Sequence, residues 1–193
     1  MTRPVAVAIT GGIGAGKSEA LKAFARNGAA TVSSDEIVHH LLERPDVRDA
    51  VVARMGTGIV GPDGKIDRRA LGTVVFNDRE ALAWLEEALH PLVSAEYLQW
   101  REQLADLPSP PRVSVTEVPL LYETGGDARF DRVVVITAPS KLRRARSEVA
   151  TDDRESRLIP DAEKVKRADF SYKNTGSLEE LDAFVKAVLA ELS

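Results

Sequence analysis

No cysteine occurs anywhere in the 193 residues. Disulfides, thiolate metal sites and cysteine nucleophiles are therefore excluded together. No apolar run approaches the ~20 residues needed to cross a bilayer. Met1-Thr2-Arg3-Pro4 leads straight into a strand-like segment and leaves no room for a signal peptide, so a cytoplasmic location and no membrane partner are expected. An excess of positive charge is also missing. The 26 Lys and Arg stand against 30 Asp and Glu, a net charge of −4, which argues against nucleic acid as a partner. Internal repeats and low-complexity tracts are absent as well. What remains is a 44% hydrophobic chain whose length suits one α/β domain, residues 1–193, with a helical insertion.

One stretch organises the rest: Gly11-Gly12-Ile13-Gly14-Ala15-Gly16-Lys17-Ser18. It follows the apolar run Val5 to Ile9 and precedes a helix-like segment, Glu19 to Arg26, so it matches G-x-x-x-x-G-K-[ST] in its strand–loop–helix context. The glycines let successive backbone N–H groups converge on phosphate oxygens, and the helix N-terminus adds partial positive charge there. Lys17 has the reach for terminal phosphates, and the Ser18 hydroxyl is a ligand type for the accompanying Mg2+. Gly12 to Ser18, with Glu19 next to them, are thus the candidate nucleotide-binding residues, with ATP and Mg2+ as the implied ligands.

The chain then reads as a second strand, Ala29 to Asp35, whose carboxyl end places Asp35 on the ligand rim of a parallel sheet. Asp35 is open to two readings, a mechanistic carboxylate or an N-cap for the helix starting at Glu36. From Glu36 to Trp100 the pattern is mostly helical. Pro45 restarts a helix, Gly61-Pro62-Asp63-Gly64 is a turn, Asp67 caps a helix, and Leu82, Leu85, Leu89, Leu92 and Val93 are candidate core. His90-Pro91 is expected to kink or break that last helix, with His90 read as a packing or capping residue. Pro108 to Pro111 is a linker, followed by strands at Val113–Val118 and Arg132–Thr137. Glu117 has two readings, magnesium held through water or an exposed or salt-bridged carboxylate, because its strand alternates in polarity. Pro139 to Arg157 is densely charged, either a solvated helix or a lid whose arginines meet phosphoryl charge. Pro160-Asp161 opens a helix to Arg167, Ala168–Asn174 is a last strand, and Ser177 to Glu180 is a capping box for the terminal helix.

A triphosphate cradle, Ser18, Asp35 and a basic lid suit phosphoryl transfer from ATP to a hydroxyl, with Asp35 taking its proton and Lys17 and a lid arginine stabilising charge. Spacing does not name the acceptor. The segments Thr10–Ser18, Ser33–Ile37, Gly61–Phe76, Leu85–Leu92, Val118–Glu123 and Ala168–Leu181, in that order, resemble the dephospho-CoA kinase family. The resemblance implies transfer to the ribose 3′-hydroxyl of dephospho-CoA, the last step of coenzyme A synthesis. It implies a three-layer P-loop fold of the nucleoside-kinase type, with a parallel central sheet. The core would take about 1–35, 108–140 and 165–193, a helical substrate-binding region about 36–107, and a lid about 140–164. It makes Asp35 the catalytic aspartate and places Arg69, His90 and Leu120 on the substrate side. Asn174 and Gly176 fall near the adenine, and Arg144 is the first lid arginine, with Arg143, Arg146 and Arg154 as other candidates. Four positions depart from the family pattern. Glu19 replaces a threonine, Ser33 stands where many relatives have aspartate, Glu148 meets the second lid arginine unless Arg146 supplies it, and Leu158 takes the place of a glutamine. A monomer acting on small molecules is expected. A related small-molecule kinase, or a nucleotide-binding regulator with a degenerate lid, remains the alternative.

Overall fold

β-Branched residues recur in all but the last strand, and the computed structural model places the strands in one sheet; it describes residues 3–146 and 158–192. Five strands, β1 (Val5–Thr10), β2 (Ala30–Ser33), β3 (Val113–Glu117), β4 (Arg132–Thr137) and β5 (Phe170–Lys173), lie in the order β2-β3-β1-β4-β5, all parallel. Parallel neighbours require crossovers, and here helices or long connections supply them. Ile9 is level with Glu117, and Glu117 with Ser33, so the carboxyl ends of three strands share one rim.

The alternation of each central strand sorts its side chains into two apolar clusters. Val7, Ile9, Val134 and Ile136 point to one face, where α1 (Lys17–Arg26) and α8 (Leu178–Glu191) cover them with Phe24, Leu181, Val185 and Val188. Ala8, Val133 and Val135 point to the other, packed against Leu121 and Tyr122 with Ile159 and Ala168 alongside. Both faces are therefore dry, the usual condition of a parallel sheet. Even β3, with its alternating polarity, is buried over its whole length.

Compact packing divides the chain into Met1–Ser34 with Trp100–Ser193, and Asp35–Gln99. The second unit is helical: most of α2 (Ser34–Glu43), α3 (Pro45–Met55), α4 (Arg68–Asn77) and the first part of α5 (Arg79–Ala105). Its own core holds Leu42, Val47, Val51, Ile59, Ile66, Leu71 and Leu89. Asp67 caps α4 by accepting from the Arg69 and Ala70 amides, as its sequence position predicts. Two expectations are corrected. α2 begins at Ser34, so Asp35 lies in a helical first turn, neither at a strand end nor at the N-cap. α5 runs without a break through Pro91 for 27 residues, so of the kink and junction readings it is the junction that is corrected. Proline removes one donor and crowds one carbonyl, but Leu89 and Val93 stay buried on either side of it. Of the charged stretch, α6 spans Ser140–Arg146 and α7 spans Asp161–Arg167; Glu148, Arg154 and Arg157 lie outside the described residues. No helix among the described residues is long and apolar enough to cross a membrane.

Candidate active site

β1 delivers the chain to the rim, and the loop that follows turns back into α1. Gly16 caps that helix with φ 99, a left-handed conformation, and a β-carbon there would strike the Asn174 amide. No side chain caps α1, so its leading N–H groups point to the loop's hollow, where an anion is favoured. Lys17 Nζ donates to Gly12 O at 3.1 Å, bringing its charge back across the loop. Ser18 Oγ donates to Glu117 Oε2 at 3.3 Å. Glu117 is only 5% exposed, so the expectation of a solvent-exposed carboxylate is corrected. The strand's small polar residues are themselves buried within the sheet, and their alternation marks no wet face. Glu19 turns sideways to an ion pair with Lys22 at 2.7 Å, which offsets its charge next to the loop.

Asn174 is buried and bridges two loops. Its amide donates to Ala15 O at 3.0 Å, and its oxygen accepts from the Gly176 amide at 3.0 Å. The opposing wall comes from α6. A methyl on Gly12 would lie 2.5 Å from Arg143 Nη1 and 3.2 Å from Asp161 Oδ1, so this guanidinium and carboxylate lie directly against the loop. They pair with each other at 3.9 Å. Arg146 reaches the other end, where a methyl on Gly176 would lie 3.5 Å from its Nη2. Arg144, the arginine singled out by the family resemblance, is exposed.

Behind this wall the segment after β3 holds α7. Lys164 Nζ and Glu123 Oε1 lie 2.7 Å apart, the lysine fully buried, and the Ile159 amide donates to the same oxygen at 2.9 Å. Arg167 sits 4.0 Å over the Tyr122 ring and pairs with Asp127 at 3.1 Å. Burial pushes the Tyr122 phenol up, with the Arg167 charge opposing it. Leu120 is half-buried in the same segment, its carbonyl accepting from Thr124. Asp35, Arg69 and His90 belong to the helical unit, and all three are exposed. Sequence reasoning missed Asp161 and the Glu123–Lys164 pair. Only the motif position of Glu123 gave a signal, since charged residues surround Asp161 and Lys164.

A parallel five-stranded α/β sheet with this glycine loop, lysine and serine at its rim defines a P-loop nucleotide-binding protein. A family model described as dephospho-CoA kinase matches residues 5–180. A dephospho-CoA kinase of Rhodopseudomonas palustris is 38% identical over 189 residues, covering 94% of this chain and 92% of that protein. A crystal structure from Thermus thermophilus covers all of both chains with a TM-score of 0.78 at 35% identity. A dephospho-CoA kinase from Campylobacter jejuni covers 97% of both chains with a TM-score of 0.67 at 28% identity. The chain belongs to the dephospho-CoA kinase family.

Proposed function

We propose that this chain transfers the γ-phosphoryl group of ATP to the ribose 3′-hydroxyl of dephospho-CoA, giving ADP and coenzyme A. The family match across residues 5–180, joined to an intact Gly11–Ser18 loop, is the observation that carries this reading. The acceptor oxygen forms a bond to the γ-phosphorus as the bond to the departing ADP oxygen breaks, and the hydroxyl proton passes to Asp35. Two observations support Asp35: it is a carboxylate exposed in the first turn of α2, and it directly follows Ser34, whose hydroxyl donates to Glu117 O at 2.7 Å. The loop amides and Lys17 hold the triphosphate, and Arg143 supplies positive charge to the transferring group from the α6 side. Asn174 holds Ala15 in place from the side assigned to the adenine, with Gly176 beside it. Arg69, His90 and Leu120 are assigned to the acceptor.

Ser18 Oγ and Glu117 Oε2, already 3.3 Å apart, form an oxygen pair suited to Mg2+. Among the described residues no group of three or more acidic or imidazole side chains could cage a metal. The oxygen pair itself suits an ion which takes one or two protein oxygens and completes its shell with phosphates and water. Bound there, it would neutralise charge on the β- and γ-phosphate oxygens. The protein is taken to act in the cytosol as a monomer on small molecules alone, without a nucleic-acid partner.

The direct test incubates the protein with ATP, Mg2+ and dephospho-CoA and looks for coenzyme A by mass. No product beside a working control kinase sinks the proposal. Asp35→Asn is expected to lower turnover by about 10²–10⁴-fold, the usual worth of a general base, while ATP affinity by calorimetry stays within about threefold, since no nucleotide contact is assigned to Asp35. Unchanged turnover would remove Asp35 from the mechanism.

A further inference from the structure

Helix α7 is an unusual piece of structure. At seven residues it is too short to hold itself, and its only buried residue is Lys164. An ammonium group, not an apolar face, ties this helix to the protein. Its counter-charge is Glu123, 12% exposed, whose Oε1 also takes the Ile159 amide just before the helix. Three further groups from the same segment complete the grip: the Tyr122 ring under Arg167, and Asp127 in an ion pair with it, with Leu121 buried behind. A buried ion pair seldom adds net stability over well-packed apolar residues. What it adds is place, because a lysine and a carboxylate at 2.7 Å admit one register where sliding apolar surfaces admit several.

The place matters because the first turn of α7 carries Asp161. That carboxylate faces Arg143, and both lie against Gly12. We propose that Glu123 is a positioning residue for phosphoryl transfer: through Lys164 and the Ile159 amide it fixes the first turn of α7, and through Asp161 it sets where the Arg143 guanidinium stands over the phosphate loop. The proposal rests on the reading of Arg143 as the arginine that meets the transferring phosphate. It gives a role to the Pro119-Leu120-Leu121-Tyr122-Glu123 motif, whose glutamate is assigned none in the transfer itself.

A double-mutant cycle on the full chain tests it, with coenzyme A formation by the unaltered protein measured first. Glu123→Gln is expected to lower kcat about tenfold, a modest misplacement of a charged group. In an Arg143→Ala background the same change should cost less than about twofold, because the group it positions is gone. An equal loss in both backgrounds overturns the proposal, since a merely structural role is indifferent to Arg143. So does Glu123→Gln with native kcat. If Arg143→Ala itself leaves kcat unchanged, the assignment of Arg143 fails and the positioning role falls with it. An inactive unaltered protein instead defeats the proposed reaction. Should Glu123→Gln not fold, Asp161→Asn carries the same cycle from a partly exposed site, with the same loss of effect expected in the Arg143→Ala background. Additivity there overturns the proposal equally.

Discussion

The two walls of the proposed phosphate site are made in opposite ways. One is Gly11–Ser18, eight consecutive residues whose backbone geometry creates the hollow and whose own lysine and serine furnish it. The other is assembled from remote places: Glu117 at a strand end, Arg143 and Arg146 on α6, Asp161 on α7 and Asn174 after β5. Conformation holds the first wall, whereas side-chain pairing holds the second. A change in the first should therefore act on the chemistry directly, and a change in the second should act through geometry and be smaller.

Lys17→Met gives the largest expected effect. It removes the cation nearest the loop's own carbonyls and should lower kcat about 10³-fold, the upper range for one preorganised electrostatic donor. Single-turnover rates at saturating ATP measure it. If Arg143→Ala proves the costlier of the two, the contrast between the walls is reversed.

Asn174→Ala probes the seam between them. The substitution strands Ala15 O and the Gly176 amide, two groups now satisfied by one buried side chain. That should cost about 2 kcal/mol, or about 4–8 °C of thermal midpoint for a chain of this size. KM for ATP should rise about tenfold as the loop loosens, with kcat falling less. A full loss of stability with an unchanged KM would show that the asparagine holds the fold and not the cradle.

This contrast also explains what could be read in the sequence. The loop, β1 and β4 were legible because a local motif and continuous β-branched runs need no partner to be recognised. Glu117 was harder, since Ser114 and Thr116 give β3 an alternating look while both are buried in the sheet. Alternation signals a wet face only where water reaches it. Arg143 and Arg144 are adjacent and differ by ~100° around a helix, so the one facing the loop depends on how α6 is docked, which composition does not record. Glu123 and Lys164 pair across 41 positions, and no local pattern announces such a pair. Pro91 misled as to a junction for the converse reason, because a local rule about helix breaking yielded to apolar packing on both sides of it.

The smallest effect expected lies at the opposite rim of the sheet and serves to isolate the comparison. Asp131 takes two bonds from the Arg3 guanidinium, at 2.8 and 2.7 Å, and one from the Ala6 amide at 2.8 Å, pinning the amino end of β1. The hydrogen bond from Arg3, opposed by partial burial and helped by the Ala6 amide, holds its carboxyl below the usual aspartate range. A carboxyl lowered in the folded state contributes stability above its unfolded value of about 3.9, and that stability is lost as pH falls through the folded value. Asp131→Asn should therefore cost ~1 kcal/mol at pH 7, small because Arg3 is largely solvated. The gap to the unaltered protein should close as pH is lowered below about 4. Thermal melts across pH 3–7 follow the gap, and kcat and KM for ATP at pH 7 should stay native. A fall in kcat here, with stability lost to the same extent as in Asn174→Ala, would mean that the phosphate site answers to stability in general and not to which of its walls is disturbed.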